Sequence, residues 1–308
     1  MSVFLGIDTS NYTTSMAICD ENGVLLNERK LLEVKEGERG LRQSDAVFAH
    51  VNNISEIAER IGKHNIIAIG CSSKPRDAVG SYMPCFKVGE GVAETMGKIL
   101  GIPTYKFSHQ TGHVTAAAYS AGRIDLLNEK FNAFHVSGGT TEILYCNGTS
   151  GNVEIETIGG TLDLNAGQAI DRTGVLLGLK FPCGPKLEEM AKKGKSNESP
   201  VVCVKGLECN LSGVENKVKK FKELNVDDNT IALYVLKFVE KTLDKLTANL
   251  RMKYDLPIIF AGGVMSNAMI KESLSKYPNV FFADKEFSAD NAAGIALLTR
   301  NKFLKNNK

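Results

Sequence analysis

The chain has 308 residues, 37 basic against 35 acidic for a formal charge of +2, 43% hydrophobic and 23% charged. That length and balance suit a globular protein of one large domain or two ordinary ones, and exclude a strong whole-chain footprint for nucleic acid. The longest apolar runs, 65–70 and 257–261, are strand-length, which excludes a membrane span. Seven cysteines, an odd number without C-x-x-C spacing, argue against a disulfide framework and a cysteine-built zinc site. The first eight residues read as a strand rather than a signal peptide, so a cytoplasmic location is expected.

Short β-rich runs alternate with helical patterns, the signature of an α/β architecture. A strand over 3–8 runs into small hydroxyl residues and a second strand over 15–20, forming a hairpin. Such a bend exposes backbone N–H groups and hydroxyls that suit phosphate oxygens, with Asp8 and Ser10 as candidate substrate contacts. A helix over 46–61, a strand over 66–71, a helix over 90–100 and a strand over 104–107 follow. The next helix, 109–120, opens on His109-Gln110-Thr111-Gly112-His113 and holds two of the five histidines at a spacing of four. On a helix both imidazoles project from one face and can grip one metal ion. In the zinc-protease pattern His-Glu-x-x-His the glutamate activates water. Gln110 stands there instead, and an amide cannot take that proton, so the pair reads as a metal clamp without a hydrolytic base. Ordinary polar surface is the equal alternative.

Strands over 133–137, 142–146 and 153–157 come next, and Ser137-Gly138-Gly139-Thr140-Thr141 repeats the hairpin plan about 130 residues after the first. Helices are predicted over 166–177 and 186–192. Asp171 either accepts from ribose hydroxyls or pairs with a base such as Arg172, and Gly184 would let backbone approach a ligand. The polar stretch 194–200 reads as a loop, and the lysines of 217–222 and 301–308 as solvated surface. After a helix over 230–251, a strand over 258–261 ends in Gly262-Gly263 and opens a helix over 267–276. That turn can seat an adenosine and offer Asn267 to ribose or base, or it can be a plain strand-to-helix turn. A last helix over 290–299 starts at Asp290, either a helix cap or a third metal ligand.

Two hydroxyl-glycine hairpins followed by a glycine turn resemble the actin, hexokinase and sugar-kinase (ASKHA) superfold. That likeness implies a duplicated α/β fold with two lobes around a nucleotide cleft, 1–128 plus 289–308 forming one lobe and 129–288 the other. The ordered set of motifs is more specific. Gly6-Ile7-Asp8-Thr9-Ser10, His109-x-x-x-His113, Ser137-Gly138-Gly139-Thr140-Thr141, Ala166-Gly167-Gln168-Ala169-Ile170-Asp171-Arg172-Thr173, Leu211-Ser212-Gly213, Gly262-Gly263-Val264-Met265-Ser266-Asn267 and Asp290-Asn291 together resemble the TsaD family, the tRNA threonylcarbamoyladenosine transferases.

The resemblance implies that His109, His113 and Asp290 hold one divalent ion, iron or zinc. It implies that Ser137, Gly138, Gly139, Thr140, Thr141, Asp171, Gly184 and Asn267 bind threonylcarbamoyl-AMP, whose threonylcarbamoyl group goes to N6 of adenosine 37 of tRNAs reading codons that begin with A. TsaB-like and TsaE-like partner proteins are implied as well. The chain departs from the family pattern at Thr140, where His is usual, at Tyr12 and Gln168, where acids are, and at 74–84, which replaces a Gly-Pro-Gly turn. Two alternatives therefore stay open at this level: carbamoyl transfer to another acceptor, and a nucleotide-binding scaffold without turnover.

Overall fold

The computed structural model describes residues 1–10, 12–33, 41–149, 152–195, 198–288 and 292–307. It divides into two compact units, Met1–Lys130 with Asn147–Ile155 and Glu286–Lys308, and Phe131–Cys146 with Glu156–Lys285.

In the first unit, Val3, Phe4, Leu5 and Ile7 fall on both sides of a strand, which therefore needs cover on both faces. The strand Ser2–Ser10 (β1) is buried from Val3 onward. It pairs antiparallel with Thr13–Cys19 (β2), which pairs antiparallel with Val24–Leu31 (β3). On its other side lie, in parallel, Asn65–Lys74 (β4) and Thr104–Ser108 (β5), giving the order β3-β2-β1-β4-β5. Val3, Leu5 and Ile7 pack with residues of the helices Gln43–Ile61 (α1) and Phe86–Leu100 (α2). Phe4 and Gly6 turn the other way, toward the C-terminal helix Ala293–Asn306. Gly6 is needed there, because a Cβ would lie 2.4 Å from Ala296 N. The helix His109–Ser120 (α3) packs on the same C-terminal helix at Gly112, where the partner is Gly294.

The second unit is built on a seven-stranded sheet of Lys130–Val136 (β6), Thr141–Thr149 (β7), Asn152–Thr161 (β8), Cys203–Lys205 (β9), Glu208–Asn210 (β10), Ile258–Ala261 (β11) and Val280–Phe282 (β12), ordered β12-β11-β6-β7-β8-β10-β9. Its helices are Ala166–Leu176 (α4), Gly184–Ala191 (α5), Gly213–Glu223 (α6), Asp228–Lys253 (α7) and Ala268–Leu274 (α8), which makes the C-terminal helix α9. The Asp227 side chain caps α7 by accepting from Thr230 N–H, and buried Val235, Leu236, Val239, Leu243, Leu246 and Leu250 run along one stripe of it. Phe134, Phe260 and Phe282 stack across the parallel strands at 4.9 and 5.1 Å between centroids, each contact contributing roughly 0.5–1.5 kcal/mol beyond area burial.

The strands β3, β9, β10 and β12 and the helix α6 are not predicted from the local pattern. The first four are short or edge strands, defined by what they pair with. In α6 the apolar signal was present, with Val214, Val218 and Phe221 buried at helical spacing, but the lysines between them masked it. The helix α9 continues to Asn306 instead of stopping at 299. All seven cysteines are free thiols, and only Cys203 is exposed. Among the described residues no helix is long and apolar enough to cross a membrane.

Candidate functional site

The histidine pair lies at the start of α3, as the spacing requires. Ser108 caps the helix by accepting from Thr111 N–H, and His109 and His113 sit one turn apart. Their Nε2 atoms face each other at 2.9 Å, with ring planes 80° apart. Two imidazole nitrogens brought that close need either a shared proton or a shared cation. The other ring nitrogen of His109 is 3.0 Å from Asp8 Oδ1. A carboxylate at Nδ1 holds the proton on that nitrogen and leaves the Nε2 lone pair for a ligand, as outer-shell carboxylates do in metal sites. Asp8 is fully buried at the end of β1; its Oδ1 also accepts from Ser72 Oγ, whereas its Oδ2 has no hydrogen-bond partner among the described residues. Asp8, a candidate substrate contact in sequence, thus has His109 as a neighbour.

The donor set therefore fits a divalent cation at two positions, a pair of convergent imidazoles with one oriented from behind. Asp290, the third ligand the sequence suggests, lies outside the described residues, and among those described no cluster of three metal-binding side chains occurs. The helix α9 runs Ala293–Asn306 and has Ala292 at its N-cap. Its residue Gly294 meets Gly112, the neighbour of His113. Ser10, the other first-hairpin candidate, is buried at the end of β1, and its Oγ lies 3.5 Å from Thr13 O.

The second unit contains a cavity of about 500 Å³, within the range of small-molecule sites. Gly138, Gly167, Asp171, Gly184, Gly263 and Asn267 line it, with Phe181, Leu236 and Lys285. Thus four of the residues singled out in sequence, Gly138, Asp171, Gly184 and Asn267, share one wall-to-wall space although they span about 130 positions. A Cβ at Gly138, Gly184 or Gly263 would meet nothing within 4 Å. Protein packing does not demand glycine there, and its absence of side chain leaves room at the cavity wall for a ligand. Gly262 is different: its φ is +101° and a Cβ would be 2.2 Å from Val136 O, so only glycine fits the turn after β11.

The hairpin Ser137 to Thr141 is closed on itself. Ser137 N–H donates to Thr140 O at 2.7 Å, and Ser137 Oγ accepts from the N–H groups of Gly139 and Thr140 at 3.3 and 3.1 Å. Thr141 Oγ1 accepts from Ala166 N–H at 2.9 Å, tying the hairpin to the start of α4. Gln168 Oε1 reaches back to Asn165 N–H at 3.2 Å in a capping box, a task an amide oxygen performs as well as a carboxylate.

Asp171 accepts from Cys183 N–H at 2.8 Å, fixing the 181–184 turn that opens α5. Burial raises its pKa, with that one amide opposing. Arg172 pairs with Glu215, 2.9 Å away, and so is not the partner of Asp171. Asn267 uses its Oδ1 to cap α8, accepting from Ile270 N–H at 3.1 Å, and it lines the cavity as well. Asp163 is a structural staple: burial raises its pKa, but Ser212 Oγ and the N–H groups of Leu211 and Leu164 outweigh burial and hold it below the carboxylate range.

Sequence reasoning missed Ser72, Asp77, Lys285 and Glu188, the last a further lining residue of the cavity whose Oε1 accepts from Ala268 N–H at 3.0 Å. None lies in a recognisable motif, and each gains its place only when distant segments meet.

Comparison with known proteins gives the site a context. The family profile described as tRNA N6-adenosine threonylcarbamoyltransferase, TsaD, matches residues 49–297. The tRNA N6-adenosine threonylcarbamoyltransferase of Nanoarchaeum equitans is 30% identical over 313 residues, covering 96% of this chain and 92% of its own. That of Archaeoglobus fulgidus is 27% identical over 304 residues, covering 96% and 89%. Among solved structures, the ROK hexokinase of Thermus thermophilus superposes with a TM-score of 0.52 at 13% identity, covering 99% of each chain, which shows a common hexokinase-like fold.

Proposed function

The chain belongs to the TsaD family, and from that premise we propose that it is a tRNA N6-adenosine threonylcarbamoyltransferase. The observation that carries this reading is the glycine-walled cavity holding Asp171, Gly184 and Asn267, sized for the adenosine half of threonylcarbamoyl-AMP. Asp171 accepts hydrogen bonds from ribose hydroxyls, Asn267 contacts ribose or base, and the hairpin of Ser137, Gly138, Gly139, Thr140 and Thr141 lies toward the phosphate. Ser10 serves the substrate from the first hairpin.

His109 and His113 hold one divalent ion, iron or zinc, with Asp290 as third ligand, and Asp8 keeps the His109 Nε2 lone pair available. Such an ion supplies Lewis acidity toward the carbonyl and the departing phosphate. In the transfer, N6 of adenosine 37 forms a bond to the carbamoyl carbon, the bond from that carbon to the phosphate oxygen breaks, AMP leaves and N6 gives up a proton. Gln110 cannot act as a base toward water, which suits a transferase that must not hydrolyse its donor. TsaB-like and TsaE-like proteins are its expected partners in the cytoplasm, where its tRNA resides.

Complementation of a strain lacking its TsaD, with the partner proteins supplied and tRNA nucleosides read by mass spectrometry, tests the reading. Restored threonylcarbamoyladenosine supports it. Absence of the nucleoside despite soluble protein refutes it in favour of another acceptor.

A further inference from the structure

We infer that Asp77 is a positioning residue for the two histidines, acting on the helix that carries them rather than on the metal; this inference rests on the metal reading proposed above. Asp77 lies in the 74–84 segment, where the chain departs from the glycine turn of its family. In the parallel pair β4–β5, Lys74 stands opposite Ser108, so the residues that follow β4 are delivered to the N-terminus of α3. There Asp77 Oδ2 accepts from Ser108 Oγ and from Thr111 Oγ1, each at 2.9 Å. The two hydroxyls are 2.7 Å apart and fully buried, and Ser108 Oγ also accepts from Thr111 N–H. Pro75 O, from the same segment, takes the N–H of Gln110 at 3.0 Å.

His109 is thus flanked on both sides by residues pinned to one short segment. Two of the N–H groups that a helix start leaves without intrahelical partners are satisfied by the clamp, and a carboxylate beside the helix N-terminus is favoured by the dipole. Asp77 is itself held, since Lys74 Nζ lies 2.9 Å from Oδ1. Burial works to raise its pKa, but Lys74 and the two hydroxyls outweigh burial and keep the carboxyl below its ordinary range. The consequence falls on geometry. The opposed Nε2 atoms are 2.9 Å apart, and a ligand pair works only while its backbone stays within about 0.5 Å of the productive arrangement. Removing Asp77 takes away the acceptor the two buried hydroxyls share: one can then donate to the other across 2.7 Å, but the second is left with a buried O–H that finds an acceptor only if the first turn of α3 moves.

The test uses the full chain with Co2+ alone as probe, its dissociation constant measured by competition with a chelator and its visible absorption recorded, beside thermal unfolding. His109→Ala with His113→Ala abolishes binding. Asp77→Ala weakens Co2+ binding by about tenfold, the low end of the loss that follows removal of a group bonded directly to a ligand, because Asp77 reaches the histidines only through the helix start. Asp77→Asn, whose amide oxygen still accepts from both hydroxyls, stays within a few-fold of wild type. If Asp77→Ala does not fold, Thr111→Val, which removes one donor, is read instead and loses several-fold. Wild-type Co2+ affinity in Asp77→Ala, or in Thr111→Val where that is read, overturns the inference even if the melting temperature falls, because the clamp is then structural alone. Equal losses in Asp77→Asn and Asp77→Ala also overturn it, since charge rather than the hydroxyl clamp would be at work. Undiminished binding in the double histidine variant sinks the metal reading itself, and the role of Asp77 with it.

Discussion

Gly167→Ala is the sharpest probe of the cavity. Gly167 sits at the second position of α4, where its N–H donates to Ser137 O at 3.1 Å and its Cα faces the hairpin. An added Cβ would lie 2.6 Å from Gly138 N, 2.7 Å from Gly138 Cα and 2.7 Å from Ser137 C. All three are backbone atoms, so no side-chain rotation relieves the clash, and the hairpin must retreat by the better part of an ångström to reach ordinary contact at 3.4 Å. Overpacking of this kind costs about 1–3 kcal/mol, and stretching the Gly167–Ser137 hydrogen bond adds up to ~1 kcal/mol. At roughly 2–4 °C per kcal/mol for a domain of this size, the melting temperature falls by several degrees. The cavity wall moves with the hairpin, so AMP binding, read by calorimetry, weakens about tenfold or more, a change of ~1.4 kcal/mol. Gly91→Ala on α2, where a Cβ meets nothing within 4 Å, is the control and changes neither quantity for the worse. Wild-type AMP affinity in Gly167→Ala beside a lowered melting temperature would refute the placement of the hairpin at the ligand.

Asn267→Ala loses both a helix cap, ~1 kcal/mol, and a cavity contact, whereas Asn267→Asp keeps a capping oxygen and loses the amide donor. The first variant is expected to lose stability and AMP affinity and the second affinity alone; unchanged dissociation constants in both remove Asn267 from the site. Asp163→Asn separates staple from site by its pH dependence. The folded carboxyl titrates below the unfolded one, so the unfolded state binds more protons as pH falls, and the stabilisation is complete above about pH 4 and lost below it. The gap in melting temperature between wild type and Asp163→Asn therefore stays constant from pH 5 to 8 and closes in more acid solution. A gap that widens in acid contradicts the assignment.

The helix α3 was legible to the residue, 109–120, because Ser108 supplies a cap and the small-residue run that follows is a local helical signal. The hairpin strands β1 and β2 and the turn after β11 were legible for the same reason: alternation, apolar runs and glycines act over a few positions. The strand β3 was not. Its sequence VLLNERKL contains four charged or amide-bearing neighbours in a row, Asn27, Glu28, Arg29 and Lys30, and it is a strand because β2 offers it an edge. The roles of single residues divide in the same way. That His109 and His113 share a helix face follows from spacing, and that Gly138 and Gly263 leave open space follows from residue type once the turns are formed.

What the amino-acid order determined by itself was the alternating α/β plan, the two hydroxyl-glycine hairpins and the convergent imidazoles, all properties of contacts between near neighbours in the chain. Only the tertiary structure decided that Asp8, 101 positions before His109, orients its ring, that Arg172 belongs to Glu215 rather than Asp171, and that Asp77 holds the helix start. Those assignments depend on strand register and helix packing, which set distances between segments that no local pattern encodes.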